Sequence, residues 1–352
     1  MSGNSDSYFA QEKKKVLLYL VLIIPTVLIA VYSIGVSLYP FTFDEAMDII
    51  IRHFEGKIGT SYRDFLLDNL VFEGTFPRAV GGVLIGAILA IGGVIMQTIV
   101  RNPLADSYTT GISSGALFGV TIYLALGISV FNLVGNTAVM VNALLFSLVP
   151  CSIMILFSVF RKTTPTMMVL VGIATMYIFS ASTMLIKYNA EDEIVQQIYE
   201  WSLGSLAKIS WSSIPFLLAA FLILLIVGLI LAKRIDVLSA GDNCAITLGV
   251  NPSVIRIGCL VLVSVCTAIA VSFSGTIGFV GLVIPHLCRI LVGAKSKLLI
   301  PCSAVLGGLL LIGADSIARV CGSSSLPVGV LTAMIGTPVF LFFLLKTKNN
   351  GW

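Results

Sequence analysis

Charged side chains are scarce in this sequence of 352 residues. Asp, Glu, Lys and Arg together make up 11% of it, apolar residues make up 57%, and the mean hydropathy is +1.04. Soluble globular domains carry about 25% charged residues. The composition therefore excludes an ordinary soluble enzyme and indicates a protein that lies mostly in a lipid bilayer. The modest basic excess gives no reason to infer a nucleic-acid partner.

The apolar runs lack ionisable side chains of the kind that couple transport to an ion gradient or catalyse a reaction. None of the runs has a Lys, a carboxylate or a His near its middle, and His286 and Asp315 come nearest to such a position. Ion-coupled carriers usually need an ionisable group within the membrane. The chain also lacks the G-x-x-x-x-G-K-[ST] loop that cradles phosphates. We therefore expect no ATPase site and no catalytic residue in this chain.

Patterns of metal ligands are absent too. The seven Cys residues form no C-x-x-C motif, and the two His residues are far apart in the sequence. Buried Cys residues usually pack as small apolar side chains. The sequence therefore predicts no metal site, no disulfide framework and no cofactor.

Ten apolar runs are long enough to form membrane-spanning helices, which need about 20 residues each. They cover residues 16–38, 78–100, 104–126, 137–160, 165–187, 212–232, 254–273, 276–292, 299–320 and 327–345. The run 276–292 is short enough to be partly re-entrant. We predict an all-α, polytopic membrane protein with about ten transmembrane helices, and a single transmembrane domain over residues 1–352.

Basic residues divide unevenly between the two sides of these helices. If the N-terminus is cytoplasmic, 14 of the 21 Lys and Arg residues lie in cytoplasmic segments, whereas 12 of the 17 acidic residues lie outside. Cytoplasmic segments of membrane proteins are enriched in Lys and Arg. An even number of spans then places both termini in the cytoplasm. The first run is longer than the apolar part of a signal peptide, so we expect it to remain as a span.

Four segments carry motifs that follow one another in a fixed order. Residues 77–116 contain PR, a series of glycines, RNPLAD and GISSGA, and residues 238–250 read LSAGDNCAITLGV. Residues 275–286 read GTIGFVGLVIPH, and residues 315–340 contain LPVGV and GTPVF. In this order and at these spacings the motifs resemble the FecCD family, and the resemblance extends over about residues 16–347.

The resemblance implies a function and a set of partners. FecCD proteins are the permease subunits of binding-protein-dependent ABC importers for iron-siderophores, haem and cobalamin, and they are ten-span membrane proteins of the cell membrane. The implied partners are a second, identical or related permease subunit, two cytoplasmic ATP-binding subunits and an extracytoplasmic solute-binding protein. The cargo stays open, with an iron chelate as the first expectation, followed by haem or a corrinoid. The alternatives are a stand-alone secondary carrier or channel, and a membrane receptor or enzyme.

A polar connection on the cytoplasmic side is the candidate ATPase coupling loop. Gly241 permits a tight turn there, and Asp242 suits the N-terminus of a short helix. By resemblance this connection docks into a cleft of the ATPase subunit, whereas an ordinary capped connection would explain the same residues. The candidate residues are Leu238, Ser239, Ala240, Gly241, Asp242, Ala245, Leu248 and Gly249.

Two further sets of residues follow from the resemblance. Arg78 and Arg319, at outer span ends, are expected to dock the binding protein, although lipid headgroups or an Asp315–Arg319 pair one helical turn apart would also engage them. The family often has Arg-x-Pro-Arg where this chain has TFPR at 75–78, so one cation is missing. Residues Thr164, Pro165 and Thr166 are expected to line the inner mouth of the path or its gate, or simply to start a helix.

Overall fold

The computed structural model describes residues 21–37, 39, 41–57, 61–160, 164–321 and 326–346, and within these ranges the chain is helical without a β-strand. Residues 16–20 of the first predicted span, and the basic residues at positions 13–15 and 161–162, lie outside the described residues. The helices are α1 (Val21–Ile34), α2 (Phe43–Phe54), α3 (Tyr62–Asp68), α4 (Phe76–Val100), α5 (Ile112–Leu126), α6 (Gly135–Ser147), α7 (Val149–Phe160), α8 (Pro165–Tyr188), α9 (Asp192–Ser202), α10 (Ile214–Ser239), α11 (Asp242–Thr247), α12 (Pro252–Ser274), α13 (Val280–Val292), α14 (Ser296–Val320) and α15 (Val328–Lys346).

Among the described residues, ten apolar helical segments correspond to the ten predicted runs. Six are long and apolar enough to cross a membrane, namely the segment that ends with α4, the α6–α7 pair, α8, α10, α12 and α14. Four shorter apolar helices complete the set, namely α1, α5, α13 and α15. The predicted all-α membrane fold is therefore confirmed.

One predicted span is shorter than expected. The run 104–126 forms a helix only from Ile112, because the preceding residues make a turn instead. The carboxylate of Asp106 accepts hydrogen bonds from the backbone N–H groups of Tyr108 (3.1 Å) and Thr109 (2.9 Å), and such local bonds compete with a helix. The turn folds back into the bundle, where the Tyr108 hydroxyl accepts a hydrogen bond from the Ile277 N–H at 2.9 Å.

Helix α4 is the centre of the bundle and is buried along almost its whole length. It packs against α10, α12, α13 and α14. Glycines permit the closest contacts: Gly86 meets Gly307 of α14, and Gly93 meets Gly281 of α13, with no room for a Cβ atom on α4 at either place. Small residues allow helix backbones to approach closely in membranes. The position of α4 is therefore fixed by backbone contact on two sides.

A side chain of α4 also repairs a broken hydrogen bond in α13. Pro285 lies inside α13 and has no N–H, so the carbonyl of Gly281 loses its usual helical donor. The side-chain amide of Gln97 donates to the carbonyls of Gly281 (3.2 Å) and Leu282 (3.3 Å). Helix α13 therefore continues through its proline because α4 lies beside it.

Helix α2 packs against the outer ends of α1, α4 and α14. Helix α2 begins with a capping box, in which Thr42 and Glu45 exchange side-chain and backbone hydrogen bonds. A π-helical turn, Asn69–Thr75, then leads directly into α4. The indole N–H of Trp211 donates to the Phe72 carbonyl at 2.7 Å. Helix α2 and the π-helical turn are therefore attached to the outer end of the bundle.

We predict that Gly307→Ala destabilises the protein strongly, whereas Gly313→Ala in the same helix does not. A Cβ at position 307 would overlap the backbone of Gly86, but a Cβ at position 313 would meet open space. Alanine favours a helix over glycine by about 1 kcal/mol, so the second variant is expected to be neutral or slightly stabilised. The midpoint of thermal unfolding in detergent measures both effects, and equal midpoints for the two variants would contradict this packing.

Candidate coupling and docking sites at the two ends of the bundle

The candidate coupling loop forms a short helix outside the inner end of the bundle. Gly241 precedes α11 with a φ of 113°, a backbone conformation that favours glycine. Leu238 and Ala245 are buried and attach the loop to the bundle, whereas Leu248 and Gly249 are exposed. Of the remaining candidates, Ser239 and Ala240 are exposed and Asp242 is half-buried. The loop is therefore attached to the bundle through two buried side chains, and most of its other residues are exposed.

The Asp242 carboxylate is shared by two arginines. Arg256 of α12 is fully buried and donates to both carboxylate oxygens, at 2.8 and 2.5 Å. A guanidinium nitrogen of Arg101, at the end of α4, lies 3.2 Å from the same carboxylate. Hydrogen bonding to Arg256 lowers the pKa of Asp242. The ion pair is therefore present above the ordinary pKa of Asp, and it is lost only as the pH falls through the lowered value.

A cavity of about 1140 Å³ opens at the inner end, beside the candidate gate. Pro165 and Thr166 line it together with Gln97, Arg101 and residues of the α10 end. Thr164 caps α8, because its side chain accepts from the Met167 N–H at 3.2 Å, and Pro165 follows at the first helical position. These residues therefore start α8 and also form part of the cavity wall. Their role as a gate stays a prediction.

The two candidate docking arginines meet at a single buried carboxylate. At the outer end of α4, the Arg78 guanidinium lies 2.7 Å from Asp315 of α14. Arg319 lies 2.6 Å from the other oxygen of Asp315, so the predicted pair one helical turn apart is present. Arg319 also donates to the backbone carbonyls of Ser33 (2.8 Å) and Val36 (3.1 Å).

The two arginines of this outer cluster are largely withdrawn from the surface. Arg319 is buried and Arg78 is nearly so, because each is drawn towards Asp315 and away from the surface. The cluster ties the end of α1 to α4 and α14. Docking of a binding protein by these arginines stays a prediction.

Sequence reasoning missed Arg256 and Arg101 as partners of Asp242. Arg256 is 14 residues from Asp242 and lies on another helix, so no helical spacing relates the two. The available signal was a cation within the first turns of an otherwise apolar helix, since such a charge requires an anion nearby. No cluster of three His, Cys, Asp or Glu side chains that could hold a metal occurs in the part of the chain that the structure describes.

Comparisons with known proteins agree with this architecture. The FecCD transport family matches residues 22–346. The chain is 32% identical over 348 residues to the molybdate import system permease protein MolB of Haemophilus influenzae, covering 98% of each chain. It is 37% identical over 277 residues to the hemin transport system permease protein HmuU of Yersinia pestis, covering 78% of this chain and 82% of HmuU. A solved inward-facing conformation of a metal-chelate type ABC transporter superposes with a TM-score of 0.80 at 30% identity, covering 94% of this chain and 99% of that one.

The bundle of apolar helices packed around one central helix is that of a multi-pass membrane protein. The chain belongs to the FecCD transport family. It is therefore the permease subunit of an ABC importer in the cell membrane. Membership of this family implies a partner permease, ATPase subunits and a binding protein, and the permease component is not itself the ATPase.

We predict that Asp315→Asn destabilises the protein by about 3–5 kcal/mol, because two largely buried arginines then lose the anion that they share. The matched control is Asp48→Asn, which removes an exposed pair with Arg52 and is expected to cost less than about 1 kcal/mol. Unfolding by heat or denaturant in detergent measures the difference. A loss at position 315 no greater than that at position 48 would contradict the cluster.

Proposed function

We propose that this permease carries a metal chelate or a corrinoid from its binding protein to the cytoplasm, driven by ATP hydrolysis in its partner subunits. Relatives are named for hemin, iron(3+)-hydroxamate, cobalamin and molybdate. An iron chelate is the first candidate, with haem or a corrinoid next. The partner permease is either a second copy of this chain or a related chain.

The observation that carries the proposal is the exposed apolar face of α11 and the turn that follows it. Ile246 and Leu248 are each 63% exposed, although Ala245 beside them is fully buried. Exposed apolar side chains on an anchored helix suit insertion into a cleft of another protein. The basic residues of the inner end favour a cytoplasmic position for this helix, where ATP is available.

The inner cavity supports passage rather than storage of a cargo. Uncharged polar side chains, including Gln97, Thr98 and Thr166, contribute much of its wall, and the guanidinium groups of Arg101 and Arg289 add positive charge without an aromatic or carboxylate trap for a cargo among the lining residues that the structure describes. A transport path requires binding that is weak enough to allow release. A second cavity, of about 540 Å³, lies at the outer end, where Trp201, Lys208 and Phe273 contribute to its wall.

The outer cluster supports docking through its net charge. Two arginines and one carboxylate leave one positive charge close beneath the outer surface. Complementary charges steer the encounter of two proteins and set their register. We infer that Arg78, which is the less buried of the two arginines, contributes more to docking than Arg319.

Transport by the reconstituted complex is the direct test of the proposal. We expect vesicles that contain this chain with its ATPase subunits to take up cargo only when both ATP and the binding protein are present. Haemin, a ferric hydroxamate, cyanocobalamin and molybdate form the panel of cargoes. Purified permease without ATPase subunits is expected to hydrolyse no ATP. Uptake by the permease alone, driven by an ion gradient, would favour a secondary carrier.

We predict that Gly241→Trp abolishes transport while the protein still inserts and folds. The φ of 113° disfavours any side chain at this position, and a Cβ would lie 3.5 Å from the Arg101 guanidinium. The complex should lose its ATPase subunits, or keep them with hydrolysis that no longer responds to the binding protein. Gly127→Trp is the control, because it has a φ of 66° and open surroundings at the outer end. Normal transport by Gly241→Trp would show that the loop only connects two helices and has no role in coupling.

A further inference from the structure

Three parts of the chain meet at the Asp242 carboxylate. Asp242 begins α11, Arg256 belongs to the first turns of α12, and Arg101 follows the last residue of α4. Arg256 also donates through Nε to the Ile99 carbonyl of α4 at 3.0 Å. The start of the proposed ATPase-docking helix is therefore tied to the inner end of the most buried helix in the bundle.

The two arginines hold this carboxylate unequally. Arg256 is fully buried and makes a bidentate contact, which is the strongest geometry between a guanidinium and a carboxylate. The side chain of Arg101 is 37% exposed, and its contact of 3.2 Å is longer. Exposed ion pairs of this kind contribute little to stability. A displacement of α11 would therefore break the Arg101 contact before the Arg256 contact.

The backbone of Arg101 marks the point where α4 ends. Arg101 has a φ of 51° and a ψ of 42°, a left-handed conformation that non-glycine residues seldom adopt. Its N–H is bonded to the last turn of α4, where the helix ends. The residue is thus held in a sparsely populated conformation at a point where the chain changes direction.

Arg101 lies in the wall between two spaces. On one side is the inner cavity of about 1140 Å³, and on the other is a groove of about 530 Å³ beside the start of α11. Four residues border both spaces, namely Arg101, Pro165, Thr166 and Ala240. Among these four, Arg101 is the one that carries a charge and the one that contacts Asp242.

We propose that Arg101 is a positioning residue that transmits a displacement of α11 to the inner cavity. When α11 moves, the Arg101 guanidinium loses its contact with the Asp242 carboxylate and moves towards the cavity. Arg256 keeps the carboxylate during the exchange and anchors α11 to α12. Arg101 already forms part of the cavity wall, and the released guanidinium then extends further into the cavity and changes its shape. This inference rests on the proposed function, because it takes α11 as the site on which the ATPase subunit acts.

The test compares five variants, Arg101→Lys among them, in the reconstituted complex with its ATPase subunits and binding protein. Arg101→Gln removes the exchangeable cation, Asp242→Asn removes the shared anion, and the double variant removes both. Arg234→Gln is the control, since it removes an exposed cation from the end of α10 on the same inner face. The readouts are retention of the ATPase subunits, stimulation of hydrolysis by the binding protein, and cargo taken up per ATP hydrolysed, with the panel of cargoes above.

We expect Arg101→Gln to keep its ATPase subunits and to lose about tenfold in cargo taken up per ATP hydrolysed, within the usual range of coupling between two sites, with partial recovery in Arg101→Lys. Because Arg101 acts through Asp242, the double variant is expected to be no worse than Asp242→Asn. Arg234→Gln is expected to match the wild type.

Three results would overturn the inference. They are normal uptake by Arg101→Gln, losses that multiply in the double variant, and loss of the ATPase subunits from Arg101→Gln, which would make Arg101 an anchor. A wild-type complex whose hydrolysis ignores the binding protein would instead contradict the proposed function.

Discussion

Each end of the most buried helix is held by one carboxylate that two arginines share. At the outer end of α4 the shared carboxylate is that of Asp315, and at the inner end it is that of Asp242. Burying an arginine among apolar helices is costly unless an anion accompanies it. The buried arginines, Arg319 at one end and Arg256 at the other, therefore require these two carboxylates, and the carboxylates in turn fix the helices that carry them. The remaining helices of the bundle pack around an axis whose two ends are already set.

The two clusters differ in how completely they exclude water. At the outer end Asp315 and Arg319 are buried, and backbone carbonyls at the end of α1 accept hydrogen bonds from Arg319. At the inner end one arginine is buried and the other is partly exposed beside a cavity. An ion cluster that excludes water favours one geometry, whereas water at a partly exposed cluster can replace one of the paired groups. This contrast suits a permease with a rigid outer face and an inner face that responds to ATPase subunits.

The sequence predicted the helices well because a bilayer demands long apolar runs, and each of the ten runs contains an apolar helix. It predicted the start of α8 and the pair of Asp315 with Arg319 from local spacing. The turn at Asp106 was missed because the segment 104–126 is apolar enough to be a helix, and a single side chain competes with that tendency. The pairing of Asp242 with Arg256 was missed because it joins two helices, and the burial of Arg319 depends on contacts with α1.

The contact between Gly86 and Gly307 has a mechanical consequence. Each glycine lies where the opposite backbone leaves no space for a side chain, so sliding one helix along the other would bring a larger residue into that space. The α4–α14 pair therefore has a single register. A rearrangement of the bundle that keeps this contact carries α4 and α14 together, whereas one that slides them past each other has to separate their backbones first.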